Sequence, residues 1–220
     1  MPRSLDRFKS LMAGLDPLRW VFAGDSITHG AKHTYGKRDY VEHFTERLRW
    51  ELGRPRDHVI KTGISGWRIS TLLADLQWSL LQHRPHIVSI NMGMNDCTQG
   101  DAGLAGFRRD YYTVLDALPA DTAVILHTPN DILASAVGRV EYLPSYARVI
   151  REVAAERDAV LVDHFAQWNA VRFDYWCSDA IHPNDMGHIV MANCMLKAVN
   201  LYDPQSETCR LFVPTPEAKA

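Results

Sequence analysis

Five short apolar runs, each followed by a stretch of helical periodicity, constrain the fold of this 220-residue chain more than any other feature. Residues 20–23, 59–64, 86–92, 122–127 and 159–163 are rich in Val and Ile. They are too short for buried helices, so they read as strands, the first of them buried on both faces. Between them, residues 38–52 carry Tyr40, Val41, Phe44, Leu48 and Leu52 on one helical face before Gly53 and Pro55 stop the pattern. Residues 68–82, 104–118, 145–156 and 184–200 read as further helices. Leu5, Phe8, Leu11, Met12 and Leu15 predict an amphipathic amino-terminal helix behind a Ser4 cap. Strand–helix alternation of this kind requires a parallel sheet covered on both faces, a three-layer αβα sandwich of the α/β class. The length suits one domain over residues 1–220, with its core at about 19–200 and a pattern-poor tail over 202–220.

Open α/β sheets bind ligands at the carboxyl ends of their strands, so the residues just after each run carry the functional information. Val21-Phe22-Ala23 stops at Gly24-Asp25-Ser26; the second run leads into Ser65-Gly66, and the third into Gly93-Met94-Asn95-Asp96. From the far end of the chain comes Ser178-Asp179-Ala180-Ile181-His182-Pro183. A serine hydroxyl is a poor nucleophile until a base, usually histidine, takes its proton, and a carboxylate holds that base in the right tautomer. Asp179 and His182, three residues apart, supply both functions for Ser26. The amides of Ser26 and Gly66 and the side chain of Asn95 are candidate donors for the oxyanion that ester cleavage generates. Each fragment taken alone also reads as a turn, a helix cap or a helix-start glycine.

Together and in this order, the four motifs resemble the SGNH (GDSL-type) hydrolase family over about residues 19–190. The resemblance implies a flavodoxin-like five-stranded parallel sheet and a metal-independent serine esterase without a cofactor. By position it assigns the nucleophile to Ser26, the acid and base to Asp179 and His182, and the oxyanion hole to Ser26, Gly66 and Asn95. Two positions depart from the family pattern: Ile27 stands where leucine is commonest, and Lys61 where many members have asparagine before Gly63.

Other polar and aromatic residues compete for roles. His29 is a second candidate base or substrate contact, Asp25 a turn-holding acid beside Ser26 and also a candidate substrate contact, and Trp67 and Trp176 candidate substrate-facing rings. Asp96, Asp163 and His127 read as strand-end caps. His182 and His188 lie near each other, but their spacing is wrong for a helical metal pair and no third ligand is evident, so His188 is expected to pack or hydrogen-bond.

Composition narrows the partners. A net charge of −2, from 24 basic and 26 acidic residues, offers no patch for nucleic acid or an anionic membrane. No apolar run approaches the ~18 residues of a span. The charged amino terminus lacks a secretory h-region, which predicts a cytoplasmic protein. Cys97, Cys177, Cys194 and Cys209 form no Cys-x-x-Cys pair and are expected as reduced thiols, with a Cys177–Cys209 disulfide left open for an exported protein. The expected partner is a small-molecule ester with a short acyl group, such as acetyl on a carbohydrate or small alcohol; a homo-oligomer is left open. Rival readings are a lysophospholipase or thioesterase, an acyltransferase using the same residues, and a non-catalytic binding module.

Overall fold

The computed structural model describes residues 5–171 and 173–213. Five strands, β1 (Arg19–Gly24), β2 (His58–Lys61), β3 (Ile87–Asn91), β4 (Ala123–His127) and β5 (Val160–Val162), pair in the order β2-β1-β3-β4-β5. Every pairing is parallel, with Trp20 opposite both Val59 and Ile87. Every residue of β3 and β4 is buried, as is all of β1 after Arg19, so helices cover both faces. This is the flavodoxin-like order, and the connections reverse direction between β1 and β3, where such sheets form their ligand crevice.

The helices in chain order are α1 (Leu5–Ala13), α2 (Ser26–His29), α3 (Tyr40–Glu46), α4 (Ile69–Ala74), α5 (Leu76–Ser79), α6 (Leu104–Ala117), α7 (Leu143–Glu156), α8 (His164–Asn169) and α9 (Asp185–Ala198). α3 packs against α9, while α6 packs against α4 and α7. Asp39 starts α3 with a capping box: its carboxylate accepts the Val41 and Glu42 N–H groups, and Glu42 reaches back to the Asp39 N–H. No helix among the described residues is long and apolar enough to cross a membrane.

Several expected boundaries shift for identifiable reasons. The helix expected over 38–52 continues past Glu46 as a π-helical turn, Arg47–Glu51. The one expected over 68–82 breaks at Asp75, where the backbone leaves helical geometry at φ −110° and ψ 20°, and resumes as α5, with the Asp75 side chain accepting from the Ser79 hydroxyl at 2.6 Å. Leu15 lies beyond the end of α1 and is 97% exposed, so it does not extend the apolar face; the expected Ser4 cap lies outside the described residues. The tail has more structure than its composition suggested. Thr208 donates its N–H to Glu51 at 2.8 Å and Cys209 is buried, whereas residues 214–220 lie outside the described part. All four cysteines are free thiols.

Candidate active site

Ser26 begins α2 immediately after β1 ends. Asp25 accepts the Ile27 N–H at 3.0 Å and caps the helix, Gly30 closes it with φ +69°, and Thr28 Oγ1 hydrogen-bonds the Tyr40 hydroxyl at 2.9 Å. The turn is possible because position 24 has no side chain. A Cβ there would sit 2.1 Å from Thr28 Oγ1 and 2.8 Å from the Asn91 carbonyl.

Asp179 and His182 arrive on a loop closed at its neck. Cys177 and Pro183 form an antiparallel bridge, Ser178 N–H donates to the His182 carbonyl at 2.9 Å, and Asn184 donates to the Tyr175 carbonyl while capping α9 at Gly187. Asp179 Oδ1 accepts the N–H groups of Ile181 and His182, both at 2.8 Å, and Oδ2 lies 2.9 Å from His182 Nδ1. The other ring nitrogen, Nε2, lies 2.9 Å from Ser26 Oγ, a contact spanning 156 positions of sequence. Burial alone would raise the Asp179 carboxyl, but the backbone donors of His182 and Ile181 and the imidazole itself outweigh it and hold the group at about 2. The carboxylate is therefore ionised across the working pH range. A hydroxyl bonded to one imidazole nitrogen, with a carboxylate on the other, is an arrangement that can remove the hydroxyl proton.

The second and third motifs flank this unit from adjacent strands. After β2, Ile64 N–H donates to the Gly24 carbonyl at 3.0 Å, and Trp67 N–H returns to the Ile64 carbonyl at 3.2 Å. Gly66, at φ +84°, occupies the third position of that turn. A Cβ at Gly66 would meet nothing within 4 Å. Glycine is thus favoured there by backbone conformation, and no neighbouring protein atom crowds the position. Asn95 follows β3. Its Oδ1 accepts from Arg139 Nη1 at 3.3 Å and its Nδ2 donates to the Trp67 carbonyl at 3.0 Å. One amide hydrogen of the two is thereby used, and the orientation of the group is fixed.

The remaining candidates separate. Asp25 is 1% exposed, and burial pushes its carboxyl up to about 7; Trp176 is 4% exposed, edge-on to Trp168 at 5.2 Å. Neither presents a surface to a ligand, which corrects the expectation that they contact substrate; Asp25 holds the turn instead. His29 is exposed and its Nδ1 pairs with Ser65 Oγ at 3.0 Å, away from Ser26, while Trp67 is half-buried. Asp96 accepts from Ile69 and Gly93 N–H groups, and Asp163 caps α8, both as expected of caps. His127 does not cap. It is fully buried, with Nε2 2.7 Å from Ser89 Oγ and Nδ1 2.9 Å from His164 Nε2. His188 packs parallel to Tyr40 and accepts its N–H at 3.2 Å.

Sequence reasoning missed three participants. Arg139 orients Asn95 from 44 residues away. Lys61, the departure from the family pattern, forms an ion pair with the buried carboxylate of Asp39, tying the end of β2 to α3. His33 lies flat on His182, ring centroids 3.6 Å apart and planes 4° apart. No local motif marks any of these, since each partner is distant in sequence. His33, Asp179 and His182 have ligand-type atoms within 4.8 Å of one another. The two rings are parallel, however, so their in-plane lone pairs do not converge on an ion at the ~2.0–2.1 Å that zinc–imidazole bonds need.

Comparison with known proteins gives a consistent result. The model of the GDSL-like Lipase/Acylhydrolase family matches residues 22–190. An acetylxylan esterase of Geobacillus stearothermophilus is 28% identical over 206 residues, covering 81% of this chain and 92% of that protein. Among solved structures, a catalytic mutant of an acetylxylan esterase from the same organism superposes with a TM-score of 0.73 at 24% identity, covering 84% of this chain and 95% of that one. Catalytic mutants of that esterase replace a serine, an aspartate and a histidine. An alpha/beta hydrolase enzyme from the metagenome of Lake Arreo, Spain, gives 0.68 at 26% identity, covering 86% and 99%.

Proposed function

Because this chain belongs to the GDSL-like lipase/acylhydrolase family and is a serine ester hydrolase, we propose that Ser26 is its nucleophile, His182 its base and Asp179 its acid. The observation that carries the assignment is the continuous pair of 2.9 Å contacts from Ser26 Oγ to His182 Nε2 and from His182 Nδ1 to Asp179 Oδ2.

Ser26 Oγ attacks the ester carbonyl as Nε2 takes its proton, and the ionised Asp179 stabilises the imidazolium. Negative charge develops on the carbonyl oxygen, and the N–H groups of Ser26 and Gly66 with the free amide hydrogen of Asn95 are assigned to meet it. His182 returns the proton to the leaving alcohol. Water, activated by the same nitrogen, then cleaves the acyl-serine and regenerates Ser26.

The substrate assigned is an acetyl ester of a carbohydrate. Support comes from the acetylxylan esterase that aligns with most of the chain. The half-buried Trp67, which follows Gly66 directly, and the exposed His29, three residues past Ser26 and bonded to Ser65, are the candidates to contact its sugar. The test is a panel of acetylated xylo-oligosaccharides, other acetylated sugars, longer-chain esters and acyl thioesters against the wild type and Ser26→Ala. Acetate release from the sugars, absent in the variant, is expected. A preference for long acyl chains would overturn the substrate, and full turnover by Ser26→Ala would overturn the mechanism.

A further inference from the structure

We infer that His33 is a positioning residue for the His182 base, a second imidazole that fixes the plane in which the first one faces Ser26. This rests on the assignment of His182 as base. The His182 ring is held at its two nitrogens, by both carboxylate oxygens of Asp179 at one and by Ser26 at the other, along one edge-to-edge line from Asp179 to Ser26. A ring pinned at two points can still rock about the line joining them. Only contacts on its faces remove that freedom, and His33 covers one face at a centroid distance of 3.6 Å and an interplanar angle of 4°.

His33 is itself held. Its Nδ1 lies 3.2 Å from Ser178 Oγ and 3.5 Å from Asp179 Oδ2. Its loop begins at Gly30, the cap of the Ser26 helix, where Thr34 Oγ1 donates to the Gly30 carbonyl at 3.0 Å. The same loop is tied to α9 by the Lys37–Asp185 ion pair. Lys32 at φ +71° and Tyr35 at φ +52° take left-handed conformations that are unfavourable for side-chain-bearing residues. Backbone strain of this kind persists only where surrounding contacts enforce it. The loop therefore connects nucleophile and base through one aromatic contact. The charged or titratable groups that act on His33 are Lys32 on its own loop and Asp179 and His182 opposite, and burial and the neighbouring His182 lower its proton affinity. A neutral ring is thus the one laid on the base, and it leaves Asp179 to His182.

The experiment measures p-nitrophenyl acetate hydrolysis by His33→Ala, His33→Leu and His33→Phe beside the wild type and Ser26→Ala. Removing the flat face should lower kcat by about tenfold in the Ala and Leu variants, given that small misplacements of reacting groups cost up to ~10²-fold. KM should stay within about twofold, and Phe, which restores a flat ring, should recover kcat to within about threefold. Unchanged kcat in His33→Ala, a change confined to KM, or a Phe variant no better than Leu would overturn the inference. Leu fills the space without stacking, so it separates loss of packing from loss of the flat contact. Activity surviving in Ser26→Ala would instead overturn the underlying mechanism.

Discussion

Replacing Asp179 by asparagine probes the acid–base pair where its geometry is most exacting. In the native loop Oδ1 accepts two backbone N–H groups at 2.8 Å and lies 3.1 Å from Nδ1 of His182, while Oδ2 is the nearer oxygen to that nitrogen at 2.9 Å and has no backbone donor. An asparagine keeps its single oxygen on the two backbone donors, because turning it away would leave both unpaired. Its NH₂ then points at Nδ1. Two donors cannot face each other, so the ring adopts the tautomer with hydrogen on Nε2, and that nitrogen can no longer take the Ser26 proton. The equivalent change in a buried triad costs roughly 10⁴-fold in kcat, about 5.5 kcal/mol at 1.36 kcal/mol per tenfold. Asp179→Ala behaves differently. The Asp179 side chain is 44% exposed, so water can reach Nδ1 and support the productive tautomer, and the loss should be nearer 10²–10³-fold. The expected result, with p-nitrophenyl acetate at neutral pH, is kcat about 10- to 100-fold lower for Asn than for Ala, with both variants folded. An Asn variant more active than the Ala variant, or within tenfold of wild type, would refute the tautomer argument.

Three further outcomes follow from the same coordinates. Gly24→Ala drives a methyl into Thr28 Oγ1 and the Asn91 carbonyl and breaks the Thr28–Tyr40 bond; overpacking here should cost about 3 kcal/mol, lower the melting temperature by roughly 6–12 °C and reduce activity, whereas an unperturbed melt would show that the turn relaxes freely. Lys61→Met leaves Asp39, 1% exposed, without its cation; because the lysine is 31% exposed the loss should be about 1–3 kcal/mol in urea unfolding, less than for a fully buried pair, and Asp39→Asn should cost less in that background than alone. His127, His164 and His188 are buried and held neutral, the last two at about 3, so the unfolded chain takes protons below ~6.5 that the folded chain refuses, and stability is full above that pH and lost as it falls. Burial raises Asp25 to about 7 and Asp96 to about 6, and these carboxyls act oppositely, stabilising at low pH and losing that contribution as pH rises. With three histidines against two acids, stability should drop by roughly 1–2 kcal/mol per unit from pH 6 to 5, and a rise over that interval in urea titrations would contradict the balance.

The fold and the meeting of Ser26, His182 and Asp179 were legible because both are written in local patterns. A parallel strand buried on both faces must be an unbroken apolar run, and all five runs became strands. Asp179 and His182 are three residues apart, so a single hexapeptide encodes their mutual geometry. What could not be read were contacts between elements. His127 follows an apolar run just as a capping residue does, yet it lies under His164, 37 positions later in the chain. Trp176 sits among aromatic neighbours, a composition that sugar-binding surfaces share, but the same clustering packs it against Trp168 and buries it. The break at Asp75 was hidden because the run over 68–82 contains no glycine or proline to mark it.

Lys61 shows how such a departure from a pattern is absorbed. In this chain the position faces Asp39, whose carboxylate has two jobs: capping α3 through Oδ1 and receiving Lys61 through Oδ2. Asp39 also abuts Gly30, where a Cβ would lie 2.2 Å from its Oδ2. The closing turn of the Ser26 helix, the start of α3 and the end of β2 therefore meet at one buried carboxylate. A cation at position 61 neutralises that charge, and the second motif remains fastened to the first by the Ile64–Gly24 backbone bond and the tight approach of Gly63 to Thr28. The bracing of the second block thus passes through charge pairing and backbone contact, with the motif glycines free to keep the conformations that orient Gly66.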